Sequence, residues 1–171
     1  MLEFGGEAVR SALRFDRDGL ASGEIWRLLS GHVVHLGPSH AAMNVVALLV
    51  LAVVFAARLK PLDWLLGGAV AAVAIDLGLY LLSPEIVWYV GLSGVLHGYW
   101  ASGAVLSWRL HRLEAVVLAA LLLLKLFWEN VAGPVPLTRS LAAGPVVTDA
   151  HLYGTIGGLV WGIVAAVRRE R

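Results

Sequence analysis

No cysteine occurs among the 171 residues of this chain. That excludes disulfides, a thiol nucleophile and thiolate metal sites. Charge is scarce too: Asp, Glu, Lys and Arg make up 15% of the residues and the formal net charge is +1. No global basic field is therefore available for nucleic acid. Residues 1–23 are polar and mixed and lack the apolar stretch of a secretory signal. Sustained apolar–polar alternation is missing, which argues against a barrel. What is abundant is apolar. Hydrophobic residues reach 59%, against the ~45–50% apolar content of soluble domains, and mean hydropathy is +0.79.

The apolar residues fall in five runs, about 41–57, 62–82, 92–108, 113–128 and 150–167. Each approaches the ~20 residues a helix needs to cross a bilayer core. The two shortest are expected to start below the surface or to be covered by protein. The reading is an all-α membrane protein, one domain over 1–171, with residues 1–39 as an outer N-terminal segment. Basic residues set the orientation. Arg58 and Lys60 follow the first run, Arg109, His111 and Arg112 separate the third from the fourth, and Arg168, Arg169 and Arg171 follow the fifth. These ends are expected to be cytoplasmic. Pro84, Glu85, Glu129, Pro134, Pro136 and Asp149 mark the opposite, outer ends. His40, Ser93 and His151 then share one depth. Five spans with a cytoplasmic end place residue 1 outside, so either a further helix precedes Met1, the favoured expectation, or the short polar tail crosses unaided.

Gly94, Gly98 and Ser102 recur every four residues, and so do Gly154, Gly158 and Gly162. Small residues at that spacing let helix backbones approach closely in lipid. If the two stripes pack on each other, the outer ends of their helices meet. Ser93 heads one stripe and His151 the other. A hydroxyl becomes a useful nucleophile when a base takes its proton, so the pair has the parts of a hydrolase. The soluble G-x-S-x-G elbow does not fit, because Gly94 directly follows the serine and no strand precedes it. His32, His35 and His40 could suggest a metal, but the Glu of an HExxH helix is absent and Gly37-Pro38 breaks the spacing. No metal and no cofactor are expected.

At these residues the chain resembles the rhomboid intramembrane serine proteases. Gly91-Leu92-Ser93-Gly94 resembles the family's GxSG. Ala150-His151-Leu152-Tyr153-Gly154, continuing to Gly158 and Gly162, resembles its AHxxGxxxGxxxG. His35 and His40 followed by Asn44 match its HxxxxHxxxN, and Trp26-Arg27 matches the Trp-Arg pair of its first outer loop. The resemblance implies a rhomboid-like helical bundle, with five helices visible and the family's usual first one missing. It makes Ser93 the nucleophile and His151 the general base of a dyad. His40, Asn44 and the Ser93 N–H would stabilise the oxyanion. No acidic third member is assigned; Asp149 lies two residues from His151, which on a helix is another face. His97, His35, Gly91 and Gly94 are auxiliary candidates.

Within that superfamily the chain looks most like the rhombosortases, which process proteins ending in a GlyGly-CTERM tail. Trp88 through Gly98 and Asp149 through Gly154 carry this likeness, and His97 stands where many rhomboids have an apolar residue. The resemblance implies a bacterial inner-membrane enzyme opening to the periplasm. Its partners would be the bilayer and a single-span protein with a C-terminal membrane tail, and no nucleic acid. A broad-specificity rhomboid, an inert binder of membrane helices and a small transporter are the competing readings.

Other polar residues keep two readings each. His97 shares a face with Ser93 and could orient a water, touch substrate or satisfy a buried group. Asp76 and Lys125 lie inside apolar runs and could pair with each other. Lys125 could instead snorkel or pair with Glu129, and Asp76 could relay protons. Trp26 and Arg27 are expected to anchor the outer loop in the interface, with Trp64, Trp88 and Trp128 as further belt residues. Glu24 is expected to pair with an arginine.

Overall fold

A computed structural model of the chain describes residues 6–142 and 144–170. Arg171, one of the orientation markers, lies outside them. The outer segment is folded: α1 (Gly6–Leu13), β1 (Phe15–Asp16), α2 (Arg17–Ala21) and α3 (Arg27–Ser30) precede the long helices. These are α4 (Pro38–Val54) and α5 (Pro61–Leu82), then, after β2 (Trp88–Tyr89), α6 (Ser93–Ser107) and α7 (Arg112–Ala132). The short α8 (Pro136–Ala142) and α9 (Asp149–Arg168) complete the bundle. Prolines open α4 and α5, where the missing N–H costs nothing and the fixed φ suits a helix.

Three helices among the described residues, α5, α7 and α9, are long and apolar enough to cross a membrane. The other two expected spans are shorter, 17 residues in α4 and 15 in α6. At ~1.5 Å per residue, α6 is about 22 Å long, short of a ~30 Å hydrocarbon core. It can be short because it is covered: most of its residues are buried against neighbouring helices. The protein is an all-α membrane protein, as expected. Val53, Leu65, Leu123, Leu124, Phe127 and Val160 are all more than half exposed, an apolar area larger than soluble monomers tolerate.

The two small-residue stripes form the central seam. A Cβ on Gly154 would run into the Gly94 carbonyl, and one on Gly158 into that of Gly98. Lower down, Ser102 Oγ donates to the Gly158 carbonyl (2.8 Å). α5 packs across this pair, with Gly67 under Trp161, Gly78 under Tyr153, and Ile75 against Gly94. α7 is held more loosely. Only 17% of its most apolar stretch is buried, against 50% for α9.

The N-terminal segment grips the bundle near the end of the seam where Ser93 and His151 lie. β1 and β2 pair antiparallel, Phe15 opposite Tyr89 and Asp16 opposite Trp88. Phe15 and Tyr89 enter a core with Ile75, Leu79, Val95 and Ala150. Asp16 caps α2 through the Gly19 N–H. Burial alone would raise its carboxyl, but that hydrogen bond and the Arg14 guanidinium outweigh it and hold it below the usual carboxylate value. Arg27, expected at the interface, is buried instead. It donates to the carbonyls of Ser11 (2.8 Å) and Arg14 (2.9 Å) and pairs with Glu24 (2.5 Å). Its flat fork of donors satisfies one carbonyl in the last turn of α1 and one just beyond it, which the end of a helix leaves open. Trp26 beside it stays half exposed.

Arg17 finishes α5. It donates to the carbonyls of Leu79 and Tyr80 (3.0 Å) in the last turn, which the end of a helix leaves without partners, and to those of Ser83 (2.9 Å) and Ile86 (2.9 Å) just beyond it. Replacing Arg17 by alanine is expected to cost about 2 kcal/mol of stability, read as a lower melting temperature in detergent. An unchanged melt would mean that water replaces the guanidinium there.

At the opposite end, ion pairs join neighbouring helices. Arg58 meets Glu114 (2.6 Å), Arg169 meets Asp63, and Arg109 meets Glu170. Three of the seven described basic residues that mark the expected cytoplasmic ends, Arg58, Arg109 and Arg169, are thus partnered by acids at the same level.

Candidate active site

Ser93 is placed by the chain just before it. β2 ends at Tyr89, and the backbone then turns through Gly91 with φ +124°, a conformation a side chain would strain. The Gly91 N–H donates to the Gly31 carbonyl (2.9 Å), and its own carbonyl accepts the Tyr89 hydroxyl (2.5 Å). A second constraint excludes a side chain there. A Cβ would lie 3.0 Å from His40 Cε1 and 3.3 Å from His40 Nε2. α6 then starts at Ser93, so the Ser93 N–H belongs to its first turn, whose amides have no partner within the helix.

His151 sits in the first turn of α9, with its side chain 1% exposed. Ser93 Oγ lies 2.9 Å from its Nε2. On the other side of the ring, Nδ1 is 2.8 Å from Glu129 Oε2. A carboxylate only accepts, so Nδ1 carries the ring proton and Nε2 is left to accept from the serine hydroxyl. Glu129 Oε1 is 2.5 Å from Lys125 Nζ, one turn back on α7. The chain of contacts therefore runs Lys125, Glu129, His151, Ser93, across three helices.

His97 stacks on His151, ring centroids 4.1 Å apart and planes 12° from parallel. Its Nδ1 donates to the Ser93 carbonyl (2.7 Å), while its Nε2 is buried with no hydrogen-bond partner among the described residues. His97, Glu129 and His151 offer ligand atoms within 4.8 Å of one another. The parallel stack does not suit a metal, because an ion in the plane of one ring lies out of the plane of the other.

His40 and Asn44 reach the same place from α4, and both are buried. His40 Nδ1 accepts the Leu36 N–H (3.3 Å), so the neutral ring carries its proton on Nε2, as a donor. Asn44 spends one amide hydrogen on the His40 carbonyl (3.1 Å) and has a second. Both line a cavity of about 280 Å³ with Ser93, His97, Lys125 and His151, walled by Met43, Ala47, Val50, Leu51, Leu96 and Trp100. His35 meets His40 edge to face, centroids 5.1 Å apart. Gly94 packs against the Ala150 carbonyl, which brings Ser93 beside His151.

Asp149 faces away from His151, as its position suggested, and accepts the Ser83 hydroxyl (2.6 Å). Asp76 pairs with His32 (3.2 Å) and not with Lys125. Glu129, expected as a marker of the outer end and a partner for Lys125, also stands on the imidazole. A signal for it existed. Glu129 and Lys125 are one turn apart in an apolar helix, at the depth of His151, and ionisable groups there are rarely idle.

The sequence matches the description "Rhomboid domain" over residues 22–168. It is similar to "Putative rhomboid protease YdcA" of Bacillus subtilis (strain 168), with 25% identity over 163 residues, covering 90% of this chain and 73% of the relative. No solved structure matches it.

Proposed function

Because the chain belongs to the rhomboid family, we propose that it is an intramembrane serine endopeptidase that cuts single-span membrane proteins near their outer end. The observation that carries this reading is the 2.9 Å contact between Ser93 Oγ and His151 Nε2, made by residues 58 apart in sequence. Ser93 attacks the scissile carbonyl while His151 takes its proton, and His151 then returns that proton to the leaving amine. Water enters by the cavity and hydrolyses the ester with His151 as base. The oxyanion is met by the Ser93 N–H, by His40 Nε2–H and by the spare hydrogen of Asn44. One such donor is worth ~3–4 kcal/mol in related chemistry.

The same reading makes the enzyme rhombosortase-like, resident in a bacterial inner membrane and open to the periplasm. Its substrate would carry a Gly-Gly pair, an apolar stretch and a basic cytoplasmic end. Two glycines weaken a helix by about 1 kcal/mol each relative to alanine. The unwound carbonyl is then free of its own hydrogen bond and can reach the serine. His97, buried beside the dyad and lining the cavity, supports a site that differs from a generalist's.

A membrane-anchored reporter ending in such a tail tests this. Release by wild type, and at least tenfold slower release when both glycines become leucine, is the expected result. Equal release of both tails, or cleavage of a generic single-span substrate alone, would move the enzyme to the broad-specificity reading.

A further inference from the structure

The buried Glu129 is the starting point. Its side chain is 1% exposed, and a carboxylate taken out of water is costly unless its oxygens are met by donors. Both are met: Oε1 by Lys125 Nζ and Oε2 by His151 Nδ1. An ion pair with Lys125 alone would need neither the imidazole nor complete burial. Lys125 is the less buried partner, with 24% of its side chain exposed, so the pair could have been made outside the site.

We propose that Glu129 is the positioning residue of a Ser93–His151–Glu129 triad, held in place by Lys125. This rests on the serine-protease reading above and goes beyond the dyad that reading requires. Two physical effects follow from the contacts. The carboxylate fixes the proton of neutral His151 on Nδ1, so Nε2 accepts from Ser93 throughout. When His151 takes the serine proton, the imidazolium forms beside a negative group and not beside Lys125 alone. In a buried site an unbalanced pair of cations would oppose that step.

Glu129→Gln separates these effects from packing, since the side chain keeps its size. The ammonium of Lys125 has donors and no acceptor, so the glutamine oxygen turns to it. The amide NH2 then faces His151 Nδ1. The ring must accept there and carry its proton on Nε2, pointing at a hydroxyl that needs to give one away. Losses of ~10⁴-fold accompany the wrong tautomer in serine proteases.

The experiment uses the full chain in liposomes, with kcat and KM on the reporter and melting temperature for each variant. Glu129→Gln is expected to lower kcat by about 10⁴-fold with KM nearly unchanged. Glu129→Asp should recover part of the loss. In the wild-type protein, ¹⁵N NMR of His151 should show a protonated Nδ1 and a bare Nε2. Retention of kcat within about threefold in Glu129→Gln, while Ser93→Ala is inactive, would overturn the triad and leave the protease standing. A proton on Nε2 of the wild-type ring would overturn it even if the glutamine variant failed to fold. Serine-independent cleavage, or none on any substrate, would remove the underlying reading and the triad with it.

Discussion

Replacing Ser93 by alanine is expected to abolish cleavage, with a fall in kcat on the order of 10⁴–10⁶, and to leave the fold intact. The size of the loss follows from the roles. Without Oγ no acyl intermediate forms, and what remains is water attack helped by the oxyanion donors. The fold survives because the hydrogen bond that the hydroxyl makes to His151 is worth about 1 kcal/mol. Ser93's structural work is done by its backbone, whose carbonyl accepts from His97. His151→Ala should abolish cleavage as well, but at a structural cost. It removes a buried ring from under His97 and leaves Glu129 Oε2 without a donor. Breaking a buried pair in this way costs ~3–5 kcal/mol. The measurement is reporter cleavage beside a melting curve for each purified variant. Full cleavage by Ser93→Ala would remove the nucleophile assignment. Loss of both cleavage and fold would mean that the Ser93–His151 contact is structural.

How far the chain could be read in advance depends on the kind of interaction. The α6–α9 seam was legible because small residues at fixed spacing report contact directly: Gly94, Gly98 and Ser102 meet Gly154, Gly158 and Gly162 as expected. The Ser93–His151 pairing followed from the seam. The folded outer segment was not legible. α1 and α2 span eight and five residues, too short for a hydrophobic period. The β1–β2 pair is two residues long and joins positions more than 70 apart. Arg27 was misplaced for a related reason. It is buried by donating to carbonyls at the end of α1, 16 and 13 residues away, and no local pattern announces that. Glu129 was visible as a charge in an apolar helix, but which neighbour it meets depends on how α7 is rotated against α9. Helices held as loosely as α7 leave little mark of their rotation in the sequence. Lys125 had two candidate partners on paper, and only the i, i+4 geometry with Glu129 was local enough to foresee.

The second large effect is expected from the seam itself. Gly154→Val should remove at least 99% of activity and lower the melting temperature, although no catalytic atom is touched. A Cβ at 154 would occupy the place of the Gly94 carbonyl, and Gly94 adjoins Ser93. The helices must move apart at the level where the nucleophile meets its base. Overpacking of a close contact costs ~1–3 kcal/mol or more, and a displacement of about 1 Å at a reacting pair can cost a hundredfold in rate. The effect should diminish down the seam. At Gly162 a Cβ would stand 3.0 Å from Val105 Cβ and 3.1 Å from Ser102 Cα, contacts that small shifts relieve, and this position is two turns farther from His151. Gly162→Ala is therefore expected to keep most activity, and Val160→Ala, on the exposed face of the same helix, nearly all of it. Cleavage rates and melting curves for the three variants decide the matter. A graded loss with distance from Ser93 means that the seam sets the separation of the Ser–His pair. Equal losses at 154 and 162 that track stability alone would mean that it only holds the bundle together.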